Sequence, residues 1–423
     1  MANQHDVPRQ STTIHDIPVE LLELTFLHIP STAGIIRAAA TCKLWRRVIG
    51  DAGFLRRFRR RNGPHILGHH RYYCEDGRTD FFPFPAPAGK EIAAIDVDDR
   101  VSLHFLLKSD SCPMHLELHD SRRGLLAFYR RGFSIIVCCP WTKQHRELHP
   151  TRPRGNSHTG LLGIFLLDAD PDEMGPGLNM SKFRVLCVRL IHYCPENSKI
   201  VDASVFSARD DRWLQVGITA VDDIIVPWET FSGQFVLVGR AGGSIFWSSK
   251  STNVILHLDE STGEFSDFTL PGEHIGIDWY SRWNLQVIGV DASSVHLVRI
   301  SGDDDLELLC YDRGIGACVV ERKVRASQVD SLSDEVTQYR RWYFAAVSAE
   351  AAAPGCIVQC TPQCDFEYVW RFSVDTRNIE LERVQKFNKY GGQAFPYELP
   401  WNISVCLEDD AMEKADVDSM LQC

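Results

Sequence analysis

Apolar positions in the first sixty residues recur with a helical period. Leu22, Phe26 and Ile29 fall at i, i+4 and i+7, and Leu21 and Leu24 broaden the stripe, so a helix is expected up to Pro30. Asp16 is placed to cap it, and Pro18 suits its first turn, where a missing N–H costs little. Ser31 or Thr32 can cap a second helix, with Ile35, Ile36, Ala38, Ala39 and Ala40 on its apolar side. Cys42, Trp45, Val48 and Ile49 mark a third, and 51–61 either extends it or forms another short helix. Three short helices bury little surface by themselves, so this unit is expected to need a partner.

From about residue 66 the pattern changes to short β-branched and aromatic runs broken by turn residues. Leu125–Tyr129, Ser134–Cys138, Phe183–Leu190, Phe235–Gly239, Ser244–Trp247, Val254–Leu258, Asn284–Val290 and Val295–Ile300 read as strands. Many short strands point to a propeller, barrel or sandwich, and weak internal similarity favours the propeller. Asp120–Phe128 and Arg240–Trp247 share a turn, a glycine and then an apolar strand; 255–270 and 369–384 each read as strand, tight polar turn, strand. Val205–Ala208 with Trp213 fits an outer hairpin. At about 40–50 residues per blade, the β region holds about six to eight blades. The chain thus reads as an α+β multidomain protein, a small three-helix module followed by a large all-β domain. The boundaries are a disordered N-terminus (1–11), the helical module (12–61), a linker (62–90), the β domain (91–407) and an acidic tail (408–423).

Charge separates the two units. Residues 1–75 carry 11 Lys and Arg against 6 Asp and Glu, and the remainder 34 against 50. A large unit this acidic is not expected to bind nucleic acid, which requires a basic surface. No stretch approaches the about 20 apolar residues of a membrane span, and no membrane association is expected. The N-terminal residues lack an apolar leader, so the 14 cysteines are expected to stay reduced, in cytoplasm or nucleus.

The segment Ile17-Pro18-Val19-Glu20-Leu21-Leu22-Glu23-Leu24 resembles the opening of an F-box, a family that begins with a Leu-Pro-x-Glu-Leu-Leu stretch and an apolar helix. Ile35 to Ile49 resembles its second half, which ends with a cysteine, basic residues and a tryptophan, here Cys42, Lys43 and Trp45. The resemblance implies docking on a Skp-type adaptor and, through it, a cullin. Ile17, Pro18, Leu21 and Leu24 would form the first contact ridge, and Glu20 would cap the helix or make a rim contact. Ile35 and Ile36 would add the middle helix, and Trp45 a large anchor. Thr25 departs from the family's bulky apolar residue and is expected to weaken the local contact or core. Asp51–Phe58 with Pro64–Gly68, and Gly392–Trp401, resemble cereal-type plant F-box proteins with a C-terminal F-box-associated β-propeller-like domain. That resemblance implies a non-catalytic, cofactor-free substrate adaptor of a cullin-RING ubiquitin ligase, with a protein substrate on the β domain. A propeller enzyme or an interaction scaffold outside ubiquitination are the competing readings.

Other constellations weigh less. Arg56, Arg57 and Arg59–Arg61 read as a solvated helix face rather than a nucleic-acid patch. Cys356, Cys360 and Cys364 lack the tight spacing of a zinc knuckle. His65, His69 and His70 read as a linker contacting the β domain, and Asp303–Asp305 as a hairpin turn. No phosphate loop, metalloprotease helix or nucleophile elbow appears, so no catalytic or metal-ligating residue is assigned.

Overall fold

The computed structural model describes residues 17–29, 32–62, 66–73, 78–83, 101–107, 116–130, 134–151, 153, 157–168, 180–193, 198–221, 235–249, 252–272, 285–291, 293–300, 306–324, 342–345, 356–362, 369–374, 379–384 and 393–398. The N-terminal unit is four helices: α1 (Val19–Leu27), α2 (Thr32–Thr41), α3 (Lys43–Ile49) and α4 (Ala52–Asn62). Pro18 is the N-cap of α1, one position earlier than the first-turn placement expected. Its carbonyl accepts from the N–H groups of Leu21 and Leu22, while Asp16 lies outside the described residues. Cys42, with φ of −156°, breaks α2 from α3. Gly50 ends α3, and the Asp51 carboxylate accepts the Phe54 N–H at 2.9 Å, which starts α4 as a separate helix.

The three-helix expectation therefore falls short by one. Phe54, Leu55 and Phe58 of α4 join Leu22, Phe26, Ile35, Ala38, Ala39, Val48 and Ile49 in a single core. Phe26 meets Phe54 edge-on at 6.4 Å, and Phe54 stacks on Phe58 at 5.9 Å. The core is filled by α4 rather than left to a partner.

The rest is mostly β. Among the described residues there are five four-stranded antiparallel meanders. They are β3 to β6 (Leu116–Arg122, Leu125–Arg130, Ser134–Cys139, Gln144–Leu148), β7 to β10 (Ser157–Leu167, Arg184–Tyr193, Ser198–Ser207, Arg212–Ala220) and β11 to β14 (Phe235–Ala241, Ser244–Ser249, Val254–Asp259, Phe265–Thr269). β15 to β18 (Leu285–Val290, Ser294–Ile300, Leu306–Asp312, Ala317–Val324) and β19 to β22 (Trp342–Ala345, Cys356–Pro362, Val369–Val374, Ile379–Val384) complete the series. A sixth, three-stranded sheet joins β1 (Ile66–Tyr73) and β2 (Arg78–Pro83) to β23 (Gln393–Glu398). The stretch expected as a linker thus holds two strands. Its mixed His, Tyr and Arg content hides a strand whose pairing partner lies at the other end of the sequence.

The internal similarities fall at equivalent places. Asp120–Phe128 and Arg240–Trp247 both run from a first strand through a two-residue turn into a second. Positive φ at both turn residues (51° and 80° at Arg123-Gly124, 56° and 72° at Gly242-Gly243) gives the type I′ geometry that matches strand twist. Residues 255–270 and 369–384 are third-to-fourth-strand hairpins, and Phe206 faces Trp213 in the outer hairpin β9–β10. The first strands β3, β7, β11 and β15 each carry an extra residue: His119, Leu162, Val238 and Ile288. Such bulges bend and twist a strand.

First strands of successive sheets are neighbours, β23 to β3, β3 to β7, β7 to β11 and β11 to β15; on the outside, β10 meets β14 and β14 meets β18. Gly239 shows why size matters there, since a Cβ on it would lie 3.0 Å from Cβ of Val287 in the next sheet. Middle strands are covered on both faces, as with β5 and β12, which are buried throughout, while β10 is largely exposed. That burial explains why the inner strands read as unbroken apolar runs. The apolar clusters lie between sheets: Ile245 and Trp247 pack with Phe165, Val188 and Val205, and Phe246 and Ile255 with Val287, Val295 and Leu297.

Candidate docking surface

α1 carries two opposed apolar stripes. Leu22 and Phe26 point into the core, whereas Leu21 and Leu24 are 54% and 53% exposed, and Ile17, just before the helix, is 36% exposed. Pro18, Val19, Glu20 and Thr25 are also exposed beside this ridge. Glu20 sits in the first turn, where a negative charge favours the helix dipole, and no side chain caps the helix there. Val19 was missed in the sequence because it falls off the heptad-like stripe. The Thr25 hydroxyl donates to the Leu21 carbonyl at 2.8 Å. Being exposed, Thr25 subtracts nothing from the core, and its effect is confined to the outer surface.

The remaining expected contact residues divide. Ile35 is fully buried and belongs to the core, so its assignment to partner contact is corrected. Helical periodicity cannot tell a core stripe from a docking stripe, and the arrival of α4 decides it. Ile36 lies on α2 with its side chain outside the described residues. Trp45 is half-buried and meets Phe26 edge-on at 5.1 Å, so most of its ring supports the module from within. Its Nε1 is buried with no hydrogen-bond partner. On α4, Arg56, Arg60 and Arg61 are exposed, and Arg57 pairs with Glu23 of α1.

Among the described residues, a dense charged cluster lies at the ends of β3, β7 and β11, joined by Glu260 just after β13. Asp120 accepts the Leu166 N–H at 2.7 Å and Arg240 Nη1 at 3.1 Å. Arg240 also grips Glu260 through Nε at 2.5 Å and Nη2 at 2.6 Å, and donates to the Leu166 carbonyl at 2.9 Å. Arg122 and Arg123 hold Asp168 at 2.7 and 2.8 Å. Burial pushes the Asp120 carboxyl up, and Arg240 pulls it back; at Asp168 the two arginines outweigh burial and hold it low. Three cations face three carboxylates across three sheets, so the cluster is an inter-sheet tie with its charges neutralised. Arg189 and Asp202, cross-strand partners in β8 and β9, form a second tie at 2.5 Å.

Of the histidine trio, His70 is buried between Phe81 and Tyr397, at 5.0 and 5.2 Å. Burial pushes it down to about 4. His65, Cys364 and Asp303–Asp305 lie outside the described residues. Cys138 and Cys139 are buried and free in β5, and burial pushes the Cys138 thiol well up. No helix among the described residues is long and apolar enough to cross a membrane.

No family model and no curated protein matches the chain. Solved structures similar to it include AztD from Citrobacter koseri, with 11% identity over 67% of this chain and 75% of that one at a TM-score of 0.33. A SapL1 lectin in complex with α-methyl fucoside shares 9% identity over 76% and 95%, with a TM-score of 0.37. A functionally unknown protein from Desulfotomaculum acetoxidans shares 10% identity over 67% and 72%, with a TM-score of 0.36. Likenesses of this size say nothing about activity, and the reading of the chain rests on its own residues.

Proposed function

We propose that the chain is a substrate-recruiting, non-catalytic subunit of a Skp–cullin–F-box ubiquitin ligase. In this reading α1–α4 are the F-box, and Ile17, Pro18, Leu21 and Leu24 dock on a Skp-type adaptor in the cytoplasm or nucleus. The observation that carries it is the second apolar stripe on α1. The core is complete without Ile17, Leu21 and Leu24, so folding of the module gives no reason for three large apolar side chains to stand in water. Exposed clusters of this kind mark interaction sites.

The β domain is proposed to be a six-bladed propeller. Five four-stranded meanders, the first strands of four of them (β3, β7, β11 and β15) neighbours in series, and a sheet made from both ends of the β region, support that reading. Its loops would hold a protein substrate near the ubiquitin-conjugating enzyme and raise the effective concentration of its lysines.

Burying the half-exposed ridge is worth about 3 kcal/mol, close to a hundredfold in affinity. The test is titration of a purified Skp-type adaptor into the full chain and into Leu21→Asp/Leu24→Asp. The wild type should bind one to one, and the variant at least about a hundredfold more weakly with unchanged circular dichroism and melting. Equal affinity, or no binding by the wild type, would overturn the proposal.

A further inference from the structure

Adjacent strands of the fourth meander bring together residues that no sequence spacing connects. His296 of β16 lies directly across from Cys310 of β17. Glu321 of β18 is the extra residue where the β17–β18 register shifts between Leu308 and Leu309, and a bulge of this kind re-aims a side chain. One ligand atom each from His296, Cys310 and Glu321 all lie within 4.8 Å of one another. Asp291 stands beside the imidazole, its Oδ2 3.2 Å from His296 Nε2. Asp291 is itself fixed, since its Oδ1 accepts the N–H groups of Ser293 at 2.9 Å and Ser294 at 2.7 Å.

We propose that His296, Cys310 and Glu321 form a zinc site on the fourth meander, with Asp291 holding the imidazole. A thiolate, an imidazole and a carboxylate are the donors zinc accepts, and the ligands of a tetrahedral zinc lie only a little closer together than these atoms do. A sulfur donor selects against magnesium and calcium, which take oxygen. A carboxylate hydrogen-bonded to the ring is the usual support of a metal-bound histidine. Three protein donors leave a fourth position for water or a side chain of a bound partner. Binding converts the Cys310 thiol to a zinc-bound thiolate and releases its proton to solvent. The site does not depend on the adaptor-docking reading, because its donors lie in the β domain.

Fourteen cysteines make adventitious zinc binding a real competitor, so the test must resolve one thiol. The full chain, stripped with a chelator and kept reduced, is titrated with cobalt(II) alone and then zinc(II) alone. One equivalent of cobalt should give a thiolate-to-cobalt charge-transfer band and the intense visible absorption of a four-coordinate ion, both removed by zinc. Cys310→Ser should lose the charge-transfer band, His296→Ala should weaken zinc binding about a hundredfold, and Asp291→Asn about tenfold. Absence of saturable one-to-one binding, or an unchanged cobalt spectrum in Cys310→Ser, would overturn the proposal. Melting of each variant without metal separates loss of the site from loss of the fold.

Discussion

Acid should weaken the three-stranded sheet of β1, β2 and β23 through His70. The ring is buried between Phe81 of β2 and Tyr397 of β23, and burial takes its pKa from 6.5 to about 4. The folded value lies below the unfolded one, so the unfolded chain binds the extra proton between about pH 6.5 and 4. Stability from this group is therefore intact above pH 6.5 and falls as the pH drops through that window. Linkage gives a loss of roughly 2 kcal/mol between pH 7 and pH 5, and roughly 3 kcal/mol by pH 4. Urea denaturation at intervals of half a pH unit would measure it. Burial also holds His119 and His257 low, so the raw slope contains their contribution. The comparison with His70→Phe removes it, because those groups titrate equally in both proteins. The wild type should lose about 2 kcal/mol more than His70→Phe between pH 7 and 5. Parallel stability curves for the two proteins would refute the reasoning.

Two further outcomes probe how the sheets are held. Asp202→Ala leaves the buried Arg189 guanidinium without its carboxylate and should cost about 3–5 kcal/mol in urea denaturation, whereas Arg189→Met/Asp202→Leu should recover most of it; equal stability of the two variants would show that the pair's charge is immaterial. Gly217→Ala would drive a Cβ into the Gly263 carbonyl oxygen and should cost about 1–3 kcal/mol, while Gly289→Ala, with nothing within 4 Å of its Cβ, should stay within about 0.5 kcal/mol of wild type.

The sequence made the local structure plain and the long-range structure obscure. The strands at 125–129, 134–138 and 244–247 were legible because their middle positions are buried on both faces and the runs are unbroken. The exposed Leu21 and Leu24 were legible as part of a helical stripe, but Ile35 belongs to the core rather than to that surface. Its spacing fits a core and a partner surface equally. α4 was ambiguous because five arginines mask Phe54, Leu55 and Phe58, the residues that make it part of the core. β1 and β2 were hidden by their mixed His, Tyr and Arg content, and β1 also pairs with a strand near the other end of the sequence. The His296, Cys310 and Glu321 cluster has no linear signature, since a strand register and a bulge assemble it.

The three-stranded sheet joins the two stretches that carried the subfamily resemblance, though they lie far apart in the sequence. Ile66–Tyr72 and Gln393–Glu398 are paired strands, with Ile66 opposite Glu398 and Gly68 opposite Tyr397. Pro396 is tolerated because β23 is an edge strand of this sheet, where a missing N–H breaks no ladder. The same strand is tied to the next sheet: Ser121 donates to the Pro396 carbonyl at 2.6 Å, and the Tyr397 hydroxyl donates to the Gly124 carbonyl at 3.2 Å. The Arg123-Gly124 turn is thus held from the far end of the chain. Only three residues separate the end of α4 at Asn62 from the start of β1 at Ile66. β1 is flanked by β2 on one side and β23 on the other, so the C-terminal strand completes the sheet that begins just after the helical module.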